Sequence, residues 1–353
     1  MGTDDRPLMP EELKRLEPEP ATEPEPTGER VIATAFLSGP NDLKPEVGTR
    51  LTRIDSARGV TSWQVDLTTN LRDIAASPPH FELWPVDRAK RRRIRDGDDY
   101  RPPWVRMLPS PKRVRQSKQQ VLRGDQELDP LTVFPPDSRN VYFDTSFPWR
   151  CVCKVGSGSG VLIGRRLVLT ASHVVDWNNP TGGTVKVHLF DDFNLGTATV
   201  IGGYVYTKVT DNSFSTIDED YVVLVLNVPL GDQLGYLGYR TYDSSWDGKS
   251  WWFSMGYPGD KGGGDRPVSQ GTFKLDEDDF DFGPGRAMST DDGDFMPGQS
   301  GSPVFTWFHK KGSKPKVRVV GVVSAQVQNG GVNYISGGSW LSDLIHYART
   351  HSP

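Results

Sequence analysis

A serine, a histidine and an aspartate stand in contexts that could together activate a hydroxyl group. Ser300 lies in Gly298-Gln299-Ser300-Gly301-Ser302-Pro303, where small neighbours leave room for backbone amides to converge on one point. The amides of Gly298 and Ser300, gathered in that way, would stabilise a developing oxyanion. The same small residues also build ordinary surface turns, so this loop needs partners to acquire meaning. His173 follows an apolar run in Leu167-Val168-Leu169-Thr170-Ala171-Ser172-His173, and the other five histidines read as surface or structural residues. Asp220 abuts the apolar stretch Tyr221-Val222-Val223-Leu224-Val225-Leu226; it is preferred to Asp218 because desolvation there would strengthen its hold on an imidazole. Acyl transfer needs a nucleophile, a base that later acts as acid, a group that orients the base, and oxyanion donors. Ser300, His173, Asp220 and the two amides offer one candidate for each role.

Such groups must be carried by a frame. From about Pro130 onward, short β-branched and aromatic runs are separated by Gly, Asn and Asp turns, which is the texture of barrels or sandwiches. Gly156-Ser157-Gly158-Ser159-Gly160 is not a phosphate loop, since a strand follows it instead of Lys-Ser/Thr and a helix. Trp340-Leu341-Ser342-Asp343-Leu344-Ile345-His346-Tyr347-Ala348 has the apolar spacing of an amphipathic helix near the C-terminus.

The order His173, Asp220, Ser300 is that of chymotrypsin-like enzymes. Together with Gly256-Tyr257-Pro258-Gly259-Asp260-Lys261 and Pro136-Asp137-Ser138-Arg139, these motifs make the chain from about residue 132 resemble the trypsin-fold serine peptidases, most closely the bacterial glutamyl endopeptidases. The resemblance implies an all-β fold of two antiparallel six-stranded β-barrels with a C-terminal helix. It also implies a cofactor-free and metal-free serine endopeptidase whose partner is a protein or peptide substrate, cut selectively. The competing reading is a catalytically silent peptide-binding or scaffold protein on the same frame. Two departures bear on the site. Trypsin has an acid before its nucleophile that pairs with a freed N-terminus, whereas this chain has neutral Gln299. The pocket is expected at Asp294, Phe295, Val323, Ser324 and Gln326. Val323 and Phe295 occupy the positions of the histidine and small hydroxyl residue that bind glutamate in the resembled branch. Asp294 either favours substrate Arg or Lys from the pocket base or faces solvent within an Asp-rich loop.

The 353 residues thus divide into an acidic disordered tail over 1–30, a propeptide-like or regulatory region over 31–130, and the peptidase-like domain over 131–353. Glu-Pro repeats in the tail cannot offset chain entropy by burial. Residues 31–37 read as a strand, while Leu67, Leu71 and Ile74 have helical spacing. The basic stretch over 88–123 reads as an exposed linker, with nucleic-acid binding as the less favoured alternative. A formal net charge of −4 argues for no particular partner. No apolar run approaches the roughly eighteen residues of a membrane span, and no secretory signal is visible, so a cytoplasmic location is expected. Cys151 and Cys153, two apart on one strand face, are expected to be free and buried.

Overall fold

Short apolar runs bounded by turn residues favour strands that pair with their sequence neighbours. The computed structural model describes residues 5–23, 95–113, 133–210, 214–277, 285–310, 312–326 and 331–353, with the strands Val31–Gly39, Thr49–Ala57, Val60–Thr68 and His80–Leu83. Six strands form the first sheet: β1 (Val152–Val155), β2 (Gly158–Leu162), β3 (Leu167–Thr170), β4 (Thr184–Val187), β5 (Gly196–Val205) and β6 (Val222–Leu226). Their order is β4-β1-β2-β3-β6-β5, and β5 pairs with β4, so the sheet closes into a barrel. Val161, Leu169 and Val223, opposite one another on adjacent strands, are buried on one face, Val222 and Leu224 are buried on the other, and closure leaves no long free edge among the six. His80–Leu83 runs parallel to β5 outside the ring.

The second sheet contains β7 (Trp252–Gly256), β8 (Val268–Phe273), β9 (Gly285–Thr290), β10 (Pro303–His309), β11 (Lys316–Gln326) and β12 (Asn333–Gly337) in the order β9-β12-β11-β10-β7-β8. No ladder joins β8 to β9 among the described residues. Side chains bridge that gap: the Lys274 amide donates to Asp292 Oδ1 at 2.8 Å, and the Asp294 amide to Gln270 Oε1 at 2.7 Å. Aromatic residues fill the interior, with Trp252, Phe273, Phe295 and Phe308 in one cluster. The helix Gly338–His351 buries Trp340, Leu341, Leu344, Ile345 and Ala348, an i, i+3, i+4 stripe, against the first sheet's core. The expected all-β class and C-terminal helix are both present. Among the described residues, no helix is long and apolar enough to cross a membrane.

The N-terminal extension departs from expectation. Residues 5–23 are folded onto the second sheet: Arg6 and Pro7 pair with His309 and Phe308 of β10, and the Leu8 amide donates to the Trp307 carbonyl at 2.8 Å. The composition of residues 1–30 suggests a disordered tail because it offers little apolar surface to bury, and residues 1–4 and 24–30 of it lie outside the described residues. The described part is held largely through its acids, which composition leaves without partners. The folded chain provides them. Asp5, 7% exposed, accepts from Arg240 Nη1 at 2.7 Å and Arg318 Nη1 at 2.5 Å, and Glu19 accepts from Arg101 Nη2 at 2.6 Å. Leu8, Val105 and Met107 then join the main core, so the boundary expected near residue 131 is not one of packing. Val31–Gly39 is a strand as read, in a three-stranded sheet with Val60–Thr68 between it and Thr49–Ala57. Leu67 therefore lies in a strand, while Leu71, Ile74 and residues 88–94 and 114–123 of the basic stretch lie outside the described residues. Residues 95–113 are packed onto the domain instead of forming an exposed linker, with Val105 and Met107 buried. Cys151 and Cys153 are free and buried.

Two stability predictions follow from buried charge. Asp5→Ala removes the buried carboxylate shared by Arg240 and Arg318, leaving the more exposed Asp96 and Asp98 beside them. It should lower unfolding stability by up to about 3 kcal/mol, read as a denaturant midpoint; an unchanged midpoint would refute the clamp. His188 is fully buried against Tyr142 and Phe143, and burial pushes its ring down to about 4, with the Trp149 backbone opposing only in part. The unfolded chain takes up this proton near pH 6.5, so the contribution is whole above that pH and lost as pH falls towards 4, up to about 3 kcal/mol. His188→Asn, which suits the positive φ of 48° there, should flatten stability between pH 6.5 and 4.

Candidate active site

His173 sits in the single helical turn Ser172–Val174 directly after β3, and Asp220 stands between the turn Phe214–Glu219 and β6. Because β3 and β6 pair through Thr170 and Val222, these two residues emerge side by side. Asp220 Oδ2 lies 2.6 Å from His173 Nδ1, and Asp220 Oδ1 accepts the His173 amide at 2.9 Å. Ser324 Oγ is the third donor to the carboxylate, reaching Oδ2 at 2.5 Å. The carboxylate is 1% exposed, and these donors satisfy it. With its proton on Nδ1 facing Asp220, the imidazole keeps Nε2 as its basic nitrogen.

The Ser300 loop is pressed against the same region. Gly301 has φ +83°, and a Cβ there would stand 2.2 Å from Ser159 O and Thr170 Oγ1 and 2.8 Å from Ala171 N. Only glycine permits that approach. The Ser159 amide donates to Ser300 O at 2.8 Å, and a Cβ on Gly158 would meet both Ser300 O and the Val174 side chain. The Ser300 loop thus lies beside the turn that carries His173. Among the described residues no hydrogen bond joins the Ser300 hydroxyl to the imidazole, and such contacts commonly tighten only around substrate.

Gly298, at φ +97°, gives its carbonyl to Ser159 Oγ at 2.6 Å, while the Gln299 amide turns back to Met296 O at 3.0 Å. Among the described residues the amides of Gly298 and Ser300 have no protein acceptor, which is the arrangement an oxyanion requires. No group of three or more His, Cys, Asp or Glu among the described residues could hold a metal ion.

The expected pocket residues are placed differently. Asp294 is 1% exposed, so it does not face solvent. Its carboxylate is surrounded by donors: Phe134 N at 2.8 Å to Oδ1, with Ser138 N and Oγ at 2.9 Å and Gln270 Nε2 at 3.2 Å to Oδ2. Phe295 packs edge-on against Phe273 at 5.8 Å, and Val323 shares that core. Ser324 serves Asp220, and the Gln326 side chain lies outside the described residues. Sequence reading gave no role to Ser159, Gln270 or Arg139. Arg139 lies in a quoted motif, but only the fold brings it to Gln299, at 3.1 Å.

Residues 158–310 match the family model of the trypsin-like peptidase domain. That span includes β2 to β10 and all three of His173, Asp220 and Ser300. Residues 158–310 are a trypsin-like peptidase domain. The glutamyl endopeptidase of Bacillus licheniformis is 31% identical over 186 residues, 48% of this chain and 52% of that protein, so the chain spans about half the length of this relative. Among solved structures, a Glu endopeptidase in complex with MPD covers 62% of this chain and 100% of its own, with 21% identity and a TM-score of 0.49. The secreted serine protease VesC from Vibrio cholerae covers 61% of this chain and 48% of its own, with 19% identity and a TM-score of 0.43.

Ser324→Ala removes one donor from the buried Asp220 carboxylate, a loss worth roughly 1.5–3 kcal/mol for a charged acceptor. Turnover should fall about tenfold or more with little change in KM; unchanged turnover would show that Asp220 does not need this hydroxyl.

Proposed function

We propose that the protein is a serine endopeptidase acting through an acyl-enzyme. Ser300 Oγ attacks the scissile carbonyl while His173 Nε2 takes its proton. The Gly298 and Ser300 amides receive the oxyanion, and the imidazolium, held by Asp220, then protonates the leaving amine. Water attacks the acyl-enzyme by the same proton route in reverse. The observation that carries this reading is the buried Asp220 carboxylate gripping His173 at both its amide and Nδ1, beside the loop that bears Ser300. A silent scaffold would have no need of it.

On substrate choice, the surroundings of Asp294 weigh against Arg or Lys, because four donors already occupy its oxygens. Substrate glutamate meets Val323 rather than an imidazole. A charged side chain buried without a partner is costly, so uncharged residues before the scissile bond suit this site best. Selective cutting of a protein partner fits such a pocket, which offers no strong charge for broad recognition.

The test is hydrolysis of a peptide library by the wild-type chain and by Ser300→Ala. The wild type should cleave after uncharged residues, and the variant should lose on the order of 10⁴-fold or more in turnover. Full activity in the variant would refute the nucleophile, and dominant cleavage after Arg, Lys or Glu would refute the pocket assignment.

A further inference from the structure

Arg139 lies ahead of the first barrel strand, with its side chain only 1% exposed. Its guanidinium is fixed by two carboxylates. Nε and Nη2 donate to Asp137 at 3.1 and 3.2 Å, and Nη1 and Nη2 donate to Asp260 at 3.1 and 2.5 Å. Lys261 adds a bond to Asp137 at 2.9 Å. Burial disfavours the Arg139 cation, but these carboxylates outweigh it and raise its pKa, while the burial of Asp137 is overcome by hydrogen bonds from Arg139 and Lys261, which hold it at about 2. Two cations and two carboxylates therefore balance. A third carboxylate here would be in excess, which gives neutral Gln299 a physical reason.

The remaining Nη1 hydrogen bond goes to Gln299 Oε1 at 3.1 Å. The same oxygen accepts the Met296 amide at 3.1 Å, while the Gln299 amide donates to Met296 O at 3.0 Å. Gln299 thereby closes a small ring over residues 296–299, with Gly298 inside it. A glycine at φ +97° can leave that conformation at low cost, so the direction of its amide depends on what holds the ring. The other end of the loop is fixed by the same segment, through Phe134 and Ser138 to Asp294. Residues 134–139 thus hold the stretch 294–300 at both ends.

We propose that Arg139 is a positioning residue for the oxyanion loop: fixed by Asp137 and Asp260, it holds Gln299 and the Met296 amide so that Gly298 and Ser300 aim their amides together in the uncut chain. The proposal rests on the serine peptidase reading for its catalytic consequence. Its structural part stands by itself. No freed N-terminus is needed to build the loop, because an internal guanidinium supplies the cation.

The experiment compares full-length wild type with Arg139→Met, Gln299→Met, the double variant, Arg139→Lys and Lys261→Met. Readouts are kcat and KM, affinity for a peptidyl boronate, labelling of Ser300 by a fluorophosphonate, and intact mass. Each methionine variant should lose about 10²-fold in kcat, the scale of one oxyanion donor, with KM within about threefold. Boronate affinity should fall in step with kcat. The double variant should be no worse than either single one, because both break one contact. Arg139→Lys should recover part of the loss, and Lys261→Met, which removes the outer cation but leaves the Arg139–Gln299 contact, should lose clearly less than Arg139→Met. Additive losses, effects on KM alone, unchanged kcat in folded variants, or labelling only after the chain is cut near residue 131 would overturn the proposal. If Arg139→Met fails to fold, Gln299→Met decides alone. A wild type that neither labels nor cleaves would contradict the peptidase reading instead. Hydrogen exchange at residues 296–300 then decides: at least about tenfold acceleration in Gln299→Met supports the brace, and no change refutes it.

Discussion

A buried carboxylate needs donors on every side, and the candidate site is arranged around one that has them. Asp220 lies almost wholly out of solvent with His173 N, His173 Nδ1 and Ser324 Oγ directed at it. Its two oxygens fix the backbone turn and the ring of His173 together, so the base cannot rotate without exposing an unpaired charge. The closed first barrel supplies the adjacent strand ends from which His173 and Asp220 emerge. The second sheet supplies Ser324 and the serine loop. The site therefore exists only where the two sheets meet.

The same rule governs charges far from the chemistry. Asp294 is enclosed by Phe134, Ser138 and Gln270, Arg139 by Asp137 and Asp260, and Asp5 by Arg240 and Arg318. Each cluster ties a distant segment to the domain. The extension is held by Asp5, the segment at 134–139 by Asp294 and Gln299, and the imidazole by Asp220. Since removing one partner of such a group costs more than the pair contributes, these clusters fix the arrangement of parts more than they add net stability.

Local features were legible in the sequence where chemistry constrains neighbours. Glycines around Ser300, the apolar runs before His173 and after Asp220, and the helical stripe at Trp340 to Ala348 each announced a conformation. Partners contributed by distant segments were not legible. An acid-rich tail reads as disordered until Arg240 and Arg318 are known to await Asp5. Asp294 reads as a pocket base or an exposed loop residue until Ser138, 156 positions earlier, is seen to cap it. Arg139 carries no local mark of its link to Gln299, because that contact spans 160 positions. Leu67, Leu71 and Ile74 have helical spacing, but three apolar residues do not fix a period, and the strand at Leu67 is defined by pairing with Ala33 and Thr49.

The most direct measurement is a crystal structure of the full-length protein with a peptidyl boronate. The account predicts a bond from boron to Ser300 Oγ, a boronate oxygen about 2.7–3.1 Å from the Gly298 and Ser300 amides, and His173 still held by Asp220. A boronate bound elsewhere, or bonded to Ser300 with its oxygen turned away from both amides, would contradict it.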